Sequence, residues 1–113
     1  MSKYKNEHSE LHKHHRQRLK KRFQESGLEN FDIHVILELL LFFGVPVKDT
    51  NPLAHSLLNE YGNIANILDA PFEILKNHKC VGEHTATLLK LIPQIASIYM
   101  SDKQEIGEFC NTP

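Results

Sequence analysis

The sequence predicts an all-α fold, and three observations carry that prediction. Apolar residues recur at helical spacing in one segment after another, no run alternates apolar and polar residues as a half-buried strand would, and glycines and Asn-Pro or Asp-Ala-Pro steps separate the segments. The 113 residues, 41% hydrophobic and 24% charged, suffice for one folded core but leave no length for a second independent domain.

Residues 1–9, "MSKYKNEHS", hold almost no apolar side chains and read as a flexible lead-in. From Glu10 to Ser26 the pattern is polar, with Leu11, Leu19 and Phe23 as its apolar positions and Gly27 as its stop. Leu19 and Phe23 share a helical face, which predicts a helix docked by a narrow stripe with a basic outer surface. Asp32 can cap the next helix, "IHVILELLLFF", which runs to Gly44 and is apolar nearly all round, as suits the middle of a core.

"VPVKDTNP" is a short link, and Asn51 followed by Pro52 predicts an N-cap with proline at the first helical position. The third helix, "PLAHSLLNEY", ends at Gly62; Asn63 then opens "IANIL" and Asp69 to Pro71 opens "PFEILKNH". After a turn at Cys80 to Gly82, the last helix starts near Glu83 and runs to about Met100. Pro93 inside it is expected to bend it, because proline removes one hydrogen bond and crowds the preceding turn. Residues 101–113 lose the apolar periodicity and read as a linker or the stub of a further domain. The order describes a compact tandem helix–hairpin–helix domain over residues 10–100, with about five to six helices plus the basic N-terminal helix, each half covering the other's apolar face.

Charge is distributed unevenly. Up to Arg22 the chain carries eight lysines and arginines against two acids, and beyond it five against twelve. Lys13, Arg16, Arg18, Lys20, Lys21 and Arg22 fall in one acid-free stretch, a candidate site for phosphates, whereas the acidic remainder would repel them. The longest apolar run, Leu39 to Val45, is too short to span a bilayer and the N-terminus is charged, so no membrane segment or signal peptide is expected and a cytoplasmic location follows. Cys80 and Cys110 are expected to be two thiols rather than a disulfide scaffold.

The stretch "LELLLFFGVPVKDTNPLAHSLLNEYGNIANILDAPFEILKNHKCVGEHTATLLKLIPQIASIY" resembles the N-terminal helix–hairpin–helix region of the RadC family, bacterial proteins named for DNA repair, and "HRQRLKKRF" is similar to the basic lead-in of some members. The resemblance spans roughly Phe31 to Tyr99. It implies a partner domain of the JAB type, metal-dependent, following the helical region. That domain's zinc motif is similar to His-x-His with a serine and an aspartate downstream. The sequence offers only His12 and His14, with Arg22 and Glu25 at the serine and aspartate positions, so no catalytic residue, metal ligand or cofactor is expected here and the chain is expected not to be an enzyme.

In a helix–hairpin–helix unit the tight turn and the following helix N-terminus present backbone N–H groups to a phosphate, and glycine lets the phosphate approach. By resemblance Cys80, Val81 and Gly82 form that turn, Val81 is its buried anchor, and Gly82 to Thr85 supply the N–H groups. Cys80 stands where the family has a first glycine, Glu83 brings negative charge beside the phosphate position, and Thr85 stands where a lysine is frequent. Lys76 and Lys79 offset this on the incoming side. On the basic helix, Lys13, Arg16 and Lys20 share one face and Arg18 and Arg22 another, giving a second phosphate-binding stripe.

His8, His12 and His15 sit at one-turn spacing and could face a metal, but clusters near a terminus bind metal adventitiously. His34 and His55 read as packing or surface residues, and Cys80 lacks the orienting groups a nucleophile needs. Two functions remain open: a sequence-independent DNA-binding module contacting phosphates through the basic helix and the hairpin, or a scaffold that positions a protein partner or a downstream JAB-type domain. No membrane partner is expected.

Overall fold

A computed structural model of the chain describes residues 2–45 and 49–110, and within them the side chains of 11, 13–45 and 49–105. The described residues form six helices and no strand, in agreement with the all-α expectation: α1 (Ser2–Ser26), α2 (Ile33–Leu41), α3 (Asn51–Tyr61), α4 (Ile64–Asp69), α5 (Phe72–Asn77) and α6 (Gly82–Cys110). They fall into two units, Met1–Ile64 and Ala65–Pro113.

In the first unit α2 packs against both α1 and α3. Leu37, Glu38, Leu39 and Leu41 are buried, so the C-terminal half of α2 lies in the core, whereas Ile33 at its start is 54% exposed and Val35, Ile36 and Leu40 are half-buried; the all-round apolar pattern is enclosed only in part. Leu19 of α1 packs with Leu39 and Phe42, flanked by Phe31 and Val35. The expected α1 stripe is narrower than its sequence suggests, since Phe23 is 45% exposed and Leu11 67% exposed. The helix docks instead through His15, Arg16 and Leu19, and two of those three are polar. Gly27 ends α1 at φ +69, its N–H donating to the Phe23 carbonyl at 2.8 Å.

The start of α3 also departs from expectation. Thr50, not Asn51, is the N-cap, and its Oγ1 donates to the Glu38 carbonyl at 3.3 Å instead of capping its own helix. The Asp49 carboxylate takes over that task by accepting the Asn51 N–H at 3.0 Å. Leu53, Ala54 and Leu57 form the buried face of α3.

In the second unit α5 packs against α6. Its interior is apolar, built from Ile67, Ala70, Leu75, Val81, Ala86 and Leu89 with Thr85 among the buried side chains. On α6 Leu89 is buried, while Leu88 and Ile92 are half-buried.

Both chain ends are more helical than their sequences predict. α1 is already helical from Ser2, where a flexible lead-in is expected, and α6 passes Pro93 and continues to Cys110 instead of stopping near Met100. The reason is the same at each end. Lys, Glu, Gln and their like favour helix whether or not an apolar face exists, so losing periodicity removes packing without removing helix propensity. No helix among the described residues is long and apolar enough to cross a membrane.

Candidate nucleic-acid interface

The hairpin between α5 and α6 is built by backbone conformation and one apolar anchor. His78 leaves α5 in an extended conformation, and the Val81 N–H turns back to donate to the His78 carbonyl at 3.0 Å. Cys80 lies at φ +71 and Gly82 at φ +73, so both corners of the turn are left-handed. Cys80 therefore adopts the conformation that a glycine would hold, at a cost of about 1–2 kcal/mol for an L residue. It is the one non-glycine residue with positive φ among the described residues. Val81 between the corners is 5% exposed and fixes the turn to the unit's interior.

Gly82 then starts a 29-residue helix, whose first-turn N–H groups have no acceptor within the helix. An added Cβ at Gly82 would meet no atom within 4 Å, so the space over this corner is open to a ligand. Lys76 and Lys79 are exposed on the approach to it, and Glu83 and His84 are exposed just beyond. Thr85 is 2% exposed, so its hydroxyl faces the interior. Lys90 is tied back, its Nζ donating to the Leu68 carbonyl at 2.9 Å.

The basic helix divides into structural and displayed cations. Arg16 is buried; its guanidinium lies 4.7 Å from the Phe42 ring centroid and donates to the carbonyls of Phe42 and Val45. Burial lowers its pKa from the ordinary arginine value, while Asp49 and Glu38 oppose the shift, so the guanidinium stays charged. This takes Arg16 off the surface it was expected to share with Lys13 and Lys20. Lys13, Arg18, Lys21 and Arg22 are exposed and Lys20 is half-buried. Lys20 lies 5.2 Å from the Phe43 ring centroid and Arg22 4.4 Å from that of Phe31, so two of these cations rest on aromatic faces that hold them in place.

Glu38 is the hub of this arrangement. Its carboxylate is 2% exposed, 2.9 Å from His15 Nε2 on α1, and accepts from the Asn51 amide of α3 at 3.4 Å. The helical pattern of α2 gives no hint of this, because one acid among leucines reads as a break in the apolar surface. Its signal is the coincidence of Glu38 with polar partners on two other helices, which only the fold brings together.

Of the histidine trio, His8 and His12 lie outside the described side chains, and His15 is engaged by Glu38. No group of three or more potential ligands that could hold a metal occurs among the described residues. His34 and His55, expected as packing or surface residues, stack on each other with ring centroids 4.6 Å apart and line a cleft with Ile33, Leu58, Asn59 and Gly62. Cys80 is a free, exposed thiol, and Cys110 lies outside the described side chains.

Two curated relatives bear on what this chain is similar to. A UPF0758 protein of Fusobacterium nucleatum is 37% identical over 89 residues, which cover 79% of this chain and 38% of the relative. A UPF0758 protein of Ruegeria pomeroyi is 41% identical over 78 residues, covering 69% of this chain and 35% of the relative. The chain thus has homologues that carry the name of the UPF0758, or RadC, family, and it spans well under half the length of either. No family model and no solved structure matches it.

Proposed function

We propose that this chain is the helical, non-catalytic part of a RadC-like protein and binds DNA without sequence preference, through phosphate contacts from the hairpin at Cys80–Gly82 and from the displayed cations of α1. The observation that carries the reading is the pair of left-handed corners at Cys80 and Gly82 around a buried Val81, at the head of a long helix. The Val81 N–H is taken up by the His78 carbonyl, while the first-turn N–H groups of α6 have no acceptor within the helix, and the helix dipole favours an anion there. Lys76 and Lys79 add positive charge on the open side. Glu83 competes for the same N–H groups, so the hairpin's grip is weak by itself and the cations of α1 supply most of the attraction. A site made of backbone groups and surface lysines has no means of reading base edges, which is why the binding is indifferent to sequence.

The test is a titration of labelled duplex and branched DNA at low and moderate salt. Micromolar affinity that falls steeply with salt is expected, and no binding at low salt would sink the proposal and leave the scaffold reading standing. The variant that locates the surface is Arg18→Glu with Lys20→Glu and Lys79→Glu. It avoids Arg16, whose replacement would disturb the fold. Loss of binding with unchanged helicity is expected, and unchanged affinity would show that another surface is used.

A further inference from the structure

Among the described side chains, the middle of α6 carries an exposed apolar face. Leu91, Ile95, Ile98 and Tyr99 are each about half exposed or more, at 49%, 51%, 62% and 57%. They do not belong to the buried face of the same helix, which is made by Thr85, Ala86 and Leu89. With Leu88, the residues Leu91, Ile95 and Ile98 follow alternating three- and four-residue steps, which is the spacing of a helix–helix seam. One step further at each end the seam closes on a polar residue, His84 at the start and Asp102 at the finish, both exposed.

The series His84, Leu88, Leu91, Ile95, Ile98, Asp102 has the same spacing read in either direction. A second copy of α6 laid antiparallel therefore meets it in register: Leu91 opposite Ile95, Leu88 opposite Ile98, and the His84 imidazole opposite the Asp102 carboxylate. Every layer occurs twice by symmetry, the condition for a closed two-fold contact. A parallel pairing would set Asp102 against Asp102. No lysine, arginine, aspartate or glutamate lies on the seam between its two ends, and Lys90, the one such charge in that interval, is bonded to the Leu68 carbonyl. Ile92 and Tyr99 widen the seam along one flank, while Thr87, Gln94 and Ser101 border it on the other and bring no charge that would repel a copy.

We propose that the chain forms a homodimer through this antiparallel α6 seam. The proposal does not rest on DNA binding: of its residues only His84 lies beside the phosphate position, in the first turn of α6, and sedimentation reads the seam with no DNA present. Sedimentation velocity of the 113-residue chain, from micromolar to near-millimolar concentration, is expected to show a reversible monomer–dimer equilibrium. Ile95→Glu places a carboxylate in the seam and is expected to raise the dissociation constant about a hundredfold or more, with circular dichroism unchanged because Ile95 is exposed in the single chain. His84→Asp sets acid against acid and weakens the dimer, and adding Asp102→Lys to it restores association. A monomer at every concentration, a ladder of larger species, a dimer indifferent to Ile95→Glu, or failure of the paired exchange to restore it would each overturn the proposal.

Discussion

The two units hold their cationic surfaces by opposite means. In the first, the basic helix is fastened by a buried polar hub: Glu38 reaches His15 and Asn51, and Arg16 is inserted under the carbonyls of Phe42 and Val45. In the second, the hairpin is held by apolar packing of Val81, Leu75 and Leu89 and by backbone conformation, with its lysines left on the surface. The difference decides what a mutation can mean. Removing a cation of α1 can change fold and surface together, whereas Lys76 or Lys79 can be changed with the fold untouched.

The largest expected effect tests the hub. Glu38→Ala leaves the buried Arg16 without one of its two opposing carboxylates and strips the Asn51 amide of its acceptor, and it should cost about 3 kcal/mol or more by chemical denaturation. A loss below about 1 kcal/mol, the scale of an exposed ion pair, would mean that the hub is incidental. In the apolar unit the matching change is Leu89→Ala, expected to cost about 2–4 kcal/mol through the cavity it leaves. If the two units unfold independently, each variant should shift only one of two transitions.

Smaller effects compare the two corners of the hairpin. Gly82→Ala has room for its methyl group but must hold φ +73, so a loss of about 1 kcal/mol is expected from conformation alone. Cys80→Gly should do the reverse. It relieves an L residue of φ +71 and gives back part of that gain to the greater freedom of glycine when unfolded, for a net stabilisation of about 0.5 kcal/mol. Lys79→Glu, on the exposed surface, should change stability by no more than about 0.5 kcal/mol while weakening DNA binding. A shift in melting temperature as large as that of Leu89→Ala would show that Lys79 is structural after all.

These two units were not equally legible in the sequence. The helices of both are written in apolar spacing and in Gly and Pro punctuation, and Gly27, Gly62 and Gly82 all take positive φ where the chain turns. Val81 as a buried anchor was implied by the resemblance of the hairpin to its family, and Val81 is buried. What periodicity could not give was the polar hub, because Arg16 looks like any other cation of a basic run until α2 offers it carbonyls and a ring. Nor could it reveal that Cys80 holds a left-handed corner, since nothing in a cysteine's chemistry announces positive φ. The helical ends escaped notice for the opposite reason: intrinsic propensity continues α1 and α6 where no apolar face is left to mark them.

The burial of Arg16 also fixes what a salt titration can count. Each phosphate neutralised by a protein cation frees condensed counterions, and the logarithm of the binding constant then falls by about 0.9 for each such contact per decade of salt. An arginine locked beneath two backbone carbonyls frees none, although it contributes fully to the formal charge of the basic segment. The slope should therefore enumerate Lys13, Arg18, Lys20, Lys21 and Arg22 with the hairpin lysines, and it should stay the same when Arg16 is exchanged for a cation-free residue that preserves the fold.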